Sequence, residues 1–437
     1  MEIQLNNAPE GSPRALLRDL FAAALDAARP ERCVPAHLPR ITGEGRVVVI
    51  GAGKASAAMA RAVEDAARDE GWLDRIEGLV VTRYGHGVEC ARIVIREAAH
   101  PVPDDAGEQA ARRVLEMAQD LGEDDTLICL VSGGGSALLA LPAEGISADE
   151  KAAINRALLR SGAPIDEMNC VRKHISAIKG GRLAAAAYPA RVMSLMISDV
   201  PHDDPSVIAS GPTVPDPTTC ADARAILVRY GIEVPDNVRQ RLEDAHGETP
   251  KPGDRVFERV ENVIVARPAD MLSAVVDSAA GKGLTVVSLG ADLEGEARAL
   301  GAEHARLARR LAEERAADLP LVILSGGETT VTVRGDGMGG RNAEYALGLA
   351  VALEGAPGIY AIACDTDGID GVEDNAGAVV APDTLSRATA AGLSADDHLD
   401  RNDAYAFFAG IGDLVVTGPT RTNVNDFRAI LVLPENK

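Results

Sequence analysis

Arg46-Val47-Val48-Val49-Ile50-Gly51-Ala52-Gly53-Lys54-Ala55-Ser56 is the stretch that decides the fold. Its β-branched run reads as a strand, stops at two glycines and passes into an Ala-rich helix. The same alternation recurs at Leu79–Thr82, Leu127–Val131 and Val192–Ile197. Strands separated by amphipathic segments make βαβ units and a parallel sheet. Upstream, Leu16, Leu17, Leu20, Phe21, Ala24 and Leu25 share one face at helical spacing and predict a packing helix over 13–28. Downstream, residues 247–254, with Pro250, Pro252 and Gly253 among charges, read as a linker. Beyond it the alternation resumes at Val263–Val265, Thr285–Leu289, Leu321–Leu324, Tyr360–Ala363 and Leu414–Thr417. The chain is therefore α/β throughout, with one domain over 1–250 and a second over 251–437, whose first strands could pair with the first sheet.

The 437 residues exceed the ~250–300 at which single cores stop growing, in keeping with two domains. Hydrophobic residues make up 46% of the chain and aromatics only 3%, so the interior is built mainly from Ala, Val, Leu and Ile. A net charge of -22 argues against nucleic-acid partners, which need a broad positive field. Small phosphates remain open to such a protein through a local pocket of backbone amides, a few Lys or Arg side chains and a divalent cation. Cys33, Cys90, Cys129, Cys170, Cys220 and Cys364 are scattered, with no C-x-x-C pair and no His at metal-ligand spacing, so neither structural zinc nor disulfides are expected. No apolar run reaches the ~18 residues of a membrane span. Leu20–Leu25, between Asp19 and Asp26, is too short for a secretory segment, which makes the cytoplasm the expected location.

In open parallel sheets ligands bind beyond the carboxyl ends of the strands, so the Gly-, Ser- and Asp-rich loops there are the candidates. Gly51 and Gly53 permit close backbone approach, and Lys54 adds a charge that phosphate would neutralise; the bland alternative is a solvated lysine at a helix start. Ser56 stands where a dinucleotide fingerprint needs its third glycine, and Lys54-Ala55 does not fit a Walker A loop. Ser132-Gly133-Gly134-Gly135-Ser136 can wrap amides around an oxyanion, against the alternative of a tight turn. Arg172, Lys173, His174 and Lys179 gather positive charge, but Arg172, His174 and Lys179 cannot share one helical face. Part of that set is expected on a solvated surface, with Lys179 beside Gly180-Gly181 the more site-like. Asp199, Asp203 and Asp204 follow a strand and either hold Mg²⁺ or cap turns.

In the second half, Ser325-Gly326-Gly327-Glu328-Thr329-Thr330 reads as another Ser-Gly-Gly loop after a strand. The glycine-rich run 335–340 delivers Arg341 and Asn342 into a helix, where a guanidinium can bond two phosphate oxygens at once. Asp365-Thr366-Asp367-Gly368-Ile369-Asp370-Gly371 opens like a calcium loop but lacks its closing Glu, position twelve being Ala376. Gly418–Asn423 ends the last strong strand with polar groups.

Taken in order, Gly51–Ala55, His100-Pro101-Val102-Pro103-Asp104, Ser132–Leu138, Arg172-Lys173-His174 with Lys179-Gly180-Gly181, Ser210-Gly211-Pro212-Thr213, Ser325–Thr330, Gly339–Glu344 and Gly418–Asn423 resemble the glycerate 2-kinase family, type II glycerate kinases whose C-terminal half is called the MOFRL domain. The resemblance covers nearly the whole chain. It implies a Rossmann-like N-terminal domain, a C-terminal α/β domain, an active site in the cleft between them, and ATP- and Mg²⁺-dependent phosphorylation of D-glycerate at its 2-hydroxyl. Carried onto matching positions, it implies Lys54 and Arg341 as the principal catalytic cations; Asp199, the third catalytic candidate, could orient the hydroxyl or bind the metal. Gly51, Gly53, Ser132, Gly133, Gly134, Gly135, Ser136, Lys179, Gly326, Gly327 and Glu328 would then hold the nucleotide. Lys54, Arg341, Asn342 and Asn423 would bind substrate, and Asp199 and Asp203 the metal. His202 stands where the family is expected to carry Gly, which weakens the case for Asp203. Because some members are labelled hydroxypyruvate reductases, an NAD(P)H enzyme is the first alternative. Against it, the glycine fingerprint is incomplete and the second strand ends in Thr82-Arg83 rather than an acid, although Arg83 could accept the phosphate of NADP. A non-catalytic sensor of a sugar acid or nucleotide is the second alternative. The expected partners are small molecules and a second copy of the chain, with neither nucleic acid nor membrane.

Overall fold

The computed structural model describes residues 3–5, 8–244 and 247–434. The chain forms two compact units, Pro30–Val265 and Met1–Arg29 with Ala266–Lys437. The division thus falls at Val265, not at 250, and the N-terminal segment belongs with the second unit. The predicted packing helix explains that membership. It spans Pro13–Ala27, its N-cap Ser12 accepts from the Ala15 amide, and its apolar face is buried. Phe21 stacks on Phe427 at 5.6 Å, and Arg14 donates to the buried Asp413 at 2.6 Å.

The described residues form strands β1 (Gln4–Leu5), β2 (Val47–Ala52), β3 (Ile76–Arg83), β4 (Ile93–Ala98), β5 (Thr126–Val131), β6 (Arg191–Ile197), β7 (Val260–Ala266), β8 (Thr285–Ser288), β9 (Leu293–Glu296), β10 (Leu321–Thr330), β11 (Ile359–Asp365), β12 (Gly377–Val380), β13 (Leu414–Val416) and β14 (Asp426–Val432). One sheet has the order β4-β3-β2-β5-β6-β7, with β2 parallel to both β3 and β5. All of β2 is buried, as a strand covered by helices on both faces requires. The core around Val48, Ile50, Val81, Leu127 and Val131 contains no aromatic ring, in line with the composition. The chain builds outward from β2 through β3 to β4, then returns to lay β5 on the other side of β2. The boundary between β2 and β5 is therefore the topological switch point, where the loops leaving adjacent strands part and open a crevice.

The second sheet is mixed, with the order β1-β13-β12-β11-β14-β10-β8, and β9 also pairs with β10. Here one expectation is corrected. Ser325–Thr330 is not a loop but the second half of β10. Gly326 and Gly327 pair with Phe427 and Asp426, and Gly327 also pairs with Leu293 of β9. A Cβ on Gly327 would stand 2.2 Å from the Leu293 carbonyl oxygen, so this glycine answers to strand approach, not to phosphate. No helix among the described residues is long and apolar enough to cross a membrane.

Candidate active site

At the switch point the loops after β2 and β5 are locked together. Ser132 Oγ accepts from the Ala55 amide at 3.0 Å and lies 3.3 Å from Ser56 Oγ. The Lys54 amide donates to the Gly133 carbonyl at 2.8 Å, and Thr82 Oγ1 donates to the Gly53 carbonyl at 3.0 Å. Close approach explains the glycines. A Cβ on Gly51 would lie 1.9 Å from the Leu130 carbonyl oxygen, one on Gly53 2.1 Å from Ser132 Oγ, and one on Gly135 2.8 Å from the Ala52 carbonyl oxygen. Close packing of Gly51, Gly53, Gly135 and the buried Ser132 side chain therefore builds the cradle. Gly134 is different. Its φ is 80°, and a Cβ there would point toward the His100 ring at 3.0 Å and Lys54 Cγ at 3.4 Å. Among the described residues, the amides of Gly133 and Gly134 have no backbone acceptor.

Beside Gly134 and Ser136 opens a cavity of ≈ 510 Å³, lined also by His100, Lys151, Arg172 and Lys179. Lys179 Nζ donates to the Ser136 carbonyl at 2.8 Å, to Ser136 Oγ at 3.0 Å and to the Ala209 carbonyl at 3.3 Å. Lys151 Nζ donates to the Leu141 carbonyl at 3.0 Å. Ser136 Oγ sits 2.9 Å from Ser210 Oγ, which donates to Asn169 Oδ1 at 3.2 Å. These acceptors are neutral, and among the described residues no carboxylate pairs with Lys151, Arg172 or Lys179. Burial pushes the Lys151 ammonium down to about 7. Lys179 is lowered well below the ordinary lysine range by burial and then by the neighbouring charges of Lys151 and Arg172, and burial lowers Arg172 too. Carboxylates appear at the cavity mouth, but Asp104 is engaged in capping the helix Asp105–Gln119 through the Gly107 amide at 3.0 Å.

The expectation of a partly solvated cationic cluster is corrected. Lys173, His174 and Lys179 are buried and Arg172 is half-buried. Lys173 belongs to the framework, its Nζ 3.4 Å from Asp216 Oδ1. Lys151 is a cavity residue that sequence reading missed. It sits in the helix Ala148–Ser161 among ordinary polar and apolar neighbours, and no local signal sets it apart. Asp199 and Asp203 are both half-buried beyond the end of β6, hard oxygen donors of the kind that suits Mg²⁺. His202 has φ 62°, in the left-handed region that glycine favours, which fits the expected Gly at this position.

In the second unit Arg341 starts the helix Arg341–Leu353. Its Nε donates to Asp426 at 2.8 Å, Nη1 to Glu328 at 3.1 Å and Nη2 to Asp365 at 2.9 Å. Burial alone would lower this guanidinium, but the charges of Asp426, Asp365 and Glu328 hold it well above its ordinary value. One N–H remains on each terminal nitrogen of the five that arginine carries. The helix start is closed by Asp370, whose carboxylate accepts from the amides of Asn342 at 2.9 Å and Ala343 at 2.8 Å. Burial raises that carboxyl to about 6, against the lowering effect of the two amides. Glu328, expected at the nucleotide, pairs through Oε1 with Arg341, and fully buried Asn342, expected at the substrate, donates to Asp426 at 2.8 Å. Asn423 is buried as well. Sequence reading does not assign this role to Asp365 and Asp370, whose segment resembles only a calcium loop, or to Asp426, which reaches Arg341 only through the pairing of distant strands.

Residues 16–243 match a family described as a domain of unknown function, DUF4147, and residues 321–426 match the MOFRL family. The D-glycerate 2-kinase of Thermotoga maritima is 39% identical over 417 residues, 95% of this chain and 97% of that one. The chain belongs to the glycerate 2-kinase family. Within that family, the crystal structure of the Thermotoga maritima glycerate kinase superposes with a TM-score of 0.86 at 38% identity, covering 96% of this chain and 100% of the other. A relative from Agrobacterium vitis, provisionally named a hydroxypyruvate reductase, is 53% identical over 425 residues, 96% of this chain and 95% of its own. The pair of α/β units found here agrees with the fold expected of a glycerate 2-kinase.

Proposed function

We propose that this chain is an ATP- and Mg²⁺-dependent glycerate 2-kinase that places a phosphoryl group on the 2-hydroxyl of D-glycerate. The observation that carries the reading is the set of basic side chains lining the cavity beside Gly134, buried Lys151 and Lys179 and half-buried Arg172, none of them ion-paired with a carboxylate among the described residues. Such charges are costly without an anion and favourable with one, and a phosphate chain supplies it. In this reading the amides of Gly133 and Gly134, with Lys179, Lys151 and Arg172, bind phosphate oxygens. Lys54, on the locked loop beside Gly134, offers its charge to the transferring group. Arg341 presents its two remaining N–H groups to anionic oxygens, held in one orientation by Asp426, Asp365 and Glu328. Mg²⁺, when bound, neutralises phosphate charge, and Asp199 and Asp203 are the side chains suited to hold it. Phosphoryl transfer needs positioning and charge stabilisation, so no protein nucleophile is invoked.

The test is incubation with ATP, Mg²⁺ and D-glycerate, followed by phosphorus NMR. Appearance of 2-phosphoglycerate supports the reading; the 3-isomer alone, or no ADP, refutes it. The name of the Agrobacterium vitis relative keeps a hydroxypyruvate reductase as a second reading. Against it, Thr82 at the end of β3 is buried and bonded to Gly53, and the strand ends without the acid that would hold a nicotinamide ribose. Consumption of NADH or NADPH with hydroxypyruvate would reverse that preference.

A further inference from the structure

The spacing of cysteine and histidine in the sequence offers no metal site, yet the fold of the first unit brings three ligand types together. His174 ends the helix Ile165–His174, Cys220 begins the helix Cys220–Arg229, and Glu248 lies on the segment that follows 247. A ring nitrogen of His174, Cys220 Sγ and a Glu248 carboxylate oxygen all lie within 4.8 Å of one another. From these contacts we infer that His174, Cys220 and Glu248 form a binding site for a borderline-soft divalent cation of the Zn²⁺ class.

Three observations support the site. His174 is fully buried, and its Nε2 has no hydrogen-bond partner among the described residues. A buried ring nitrogen in that condition calls for a ligand. Its other nitrogen, Nδ1, lies 2.8 Å from the Cys170 carbonyl, so Nδ1 carries the proton and Nε2 presents a lone pair. A carbonyl that fixes the tautomer in this way is the usual outer partner of a metal-binding histidine. Finally, Nε2 and Glu248 Oε2 are 3.7 Å apart. Two ligands each ~2.1 Å from one tetrahedral ion would be separated by about 3.4 Å, so little movement is needed. Glu248 Oε1 is already fixed by the Cys220 amide at 2.9 Å.

The mixture of imidazole, thiolate and carboxylate selects Zn²⁺ or a similar ion over Mg²⁺ or Ca²⁺, which prefer oxygen alone. On binding, the sulfur–metal bond replaces the S–H bond, and the proton leaves to solvent; no electron is transferred. Lys251 Nζ lies 2.9 Å from Glu248 Oε2 and competes with the ion for that oxygen. An ion here would also fix the last turn of the helix that carries Arg172 into the anion cavity.

The full-length protein, stripped with a chelator, would be titrated with Zn²⁺ and with Co²⁺ as a spectroscopic stand-in. The inference expects one equivalent bound per chain, a sulfur-to-cobalt charge-transfer band and a higher Tm with Zn²⁺. Cys220→Ser should lose the band, that equivalent and the Tm rise, while remaining folded by circular dichroism. Lys251→Ala should tighten Zn²⁺ binding by roughly two- to fivefold, the size of a partly exposed ion pair. Identical stoichiometry and spectra in wild type and Cys220→Ser overturn the site, as does weaker binding in Lys251→Ala. Kinase activity is not the readout, so the result stands apart from the proposed reaction.

Discussion

Lys151 holds its Nζ where water has been removed and the Leu141 carbonyl is its hydrogen-bond partner, so burial outweighs the more distant charge of Glu108. Its folded pKa is about 7 against an ordinary value of 10.5, so between those values the unfolded chain binds more protons than the folded one. Stability of the unliganded protein should therefore rise with pH from about 7 upward through Lys151, by at most ~1.4 kcal/mol per pH unit. The check is urea denaturation of wild type and Lys151→Met at pH 7 to 9, roughly the window of that titration; the variant should have the flatter profile and, at neutral pH, equal or greater stability. Arg341 behaves in the opposite sense. Removing it as Arg341→Ala takes the guanidinium from buried Asp365 and leaves Asp426 to Arg428 and Asn342, at a loss of about 1–3 kcal/mol, so inactivity of that variant would say little about chemistry. Arg341→Lys retains the charge but not the fork. It should lower kcat on the order of 10³-fold with a much smaller change in Tm, measured by coupled assay and thermal unfolding. His202→Gly releases a left-handed backbone and should stabilise by about 1 kcal/mol in chemical denaturation.

The loops after β2 and β5 act as one element, because each is hydrogen-bonded into the other. Ser132→Ala removes the acceptor of the buried Ala55 amide. A loss of roughly 1–3 kcal/mol is expected, visible as a lower urea midpoint, with a weaker apparent affinity for nucleotide because Gly133 and Gly134 lose their support. The strand, glycine turn and helix of this element were readable from sequence because period and composition change together at Gly51. What was hidden is which glycines face a ligand. Gly53 and Gly134 look alike in the sequence, yet one opposes Ser132 Oγ and the other the cavity. The same ambiguity concealed the course of β10, since a glycine pair signals a turn locally while its cause here is the backbone of β9. Lys151 and the acids around Arg341 escaped for a related reason: their roles arise from contacts between distant segments, which no local spacing records.

At the scale of the molecule, residues 30–265 form a contiguous unit, whereas the other unit joins residues 1–29 to residues 266–437. Loss of the first helix would uncover Phe427 and remove Arg14 from buried Asp413. A version lacking residues 1–29 should therefore show selective weakening of the unit 266–437, seen as early amide exchange in β14 while β2 and β5 keep their protection. The α/β class and the aliphatic interior were legible from alternation and composition. The partnership of the opening helix was not, because an amphipathic stripe states that a face is buried without stating against what.

That arrangement carries a consequence for biosynthesis. The apolar stripe of residues 13–27 leaves the ribosome long before the aromatic ring it stacks on, Phe427, has been translated. The segment between them can acquire its structure while elongation continues, but the helix 13–27 must wait until Phe427 has emerged. During that interval it is a natural client for a nascent-chain chaperone.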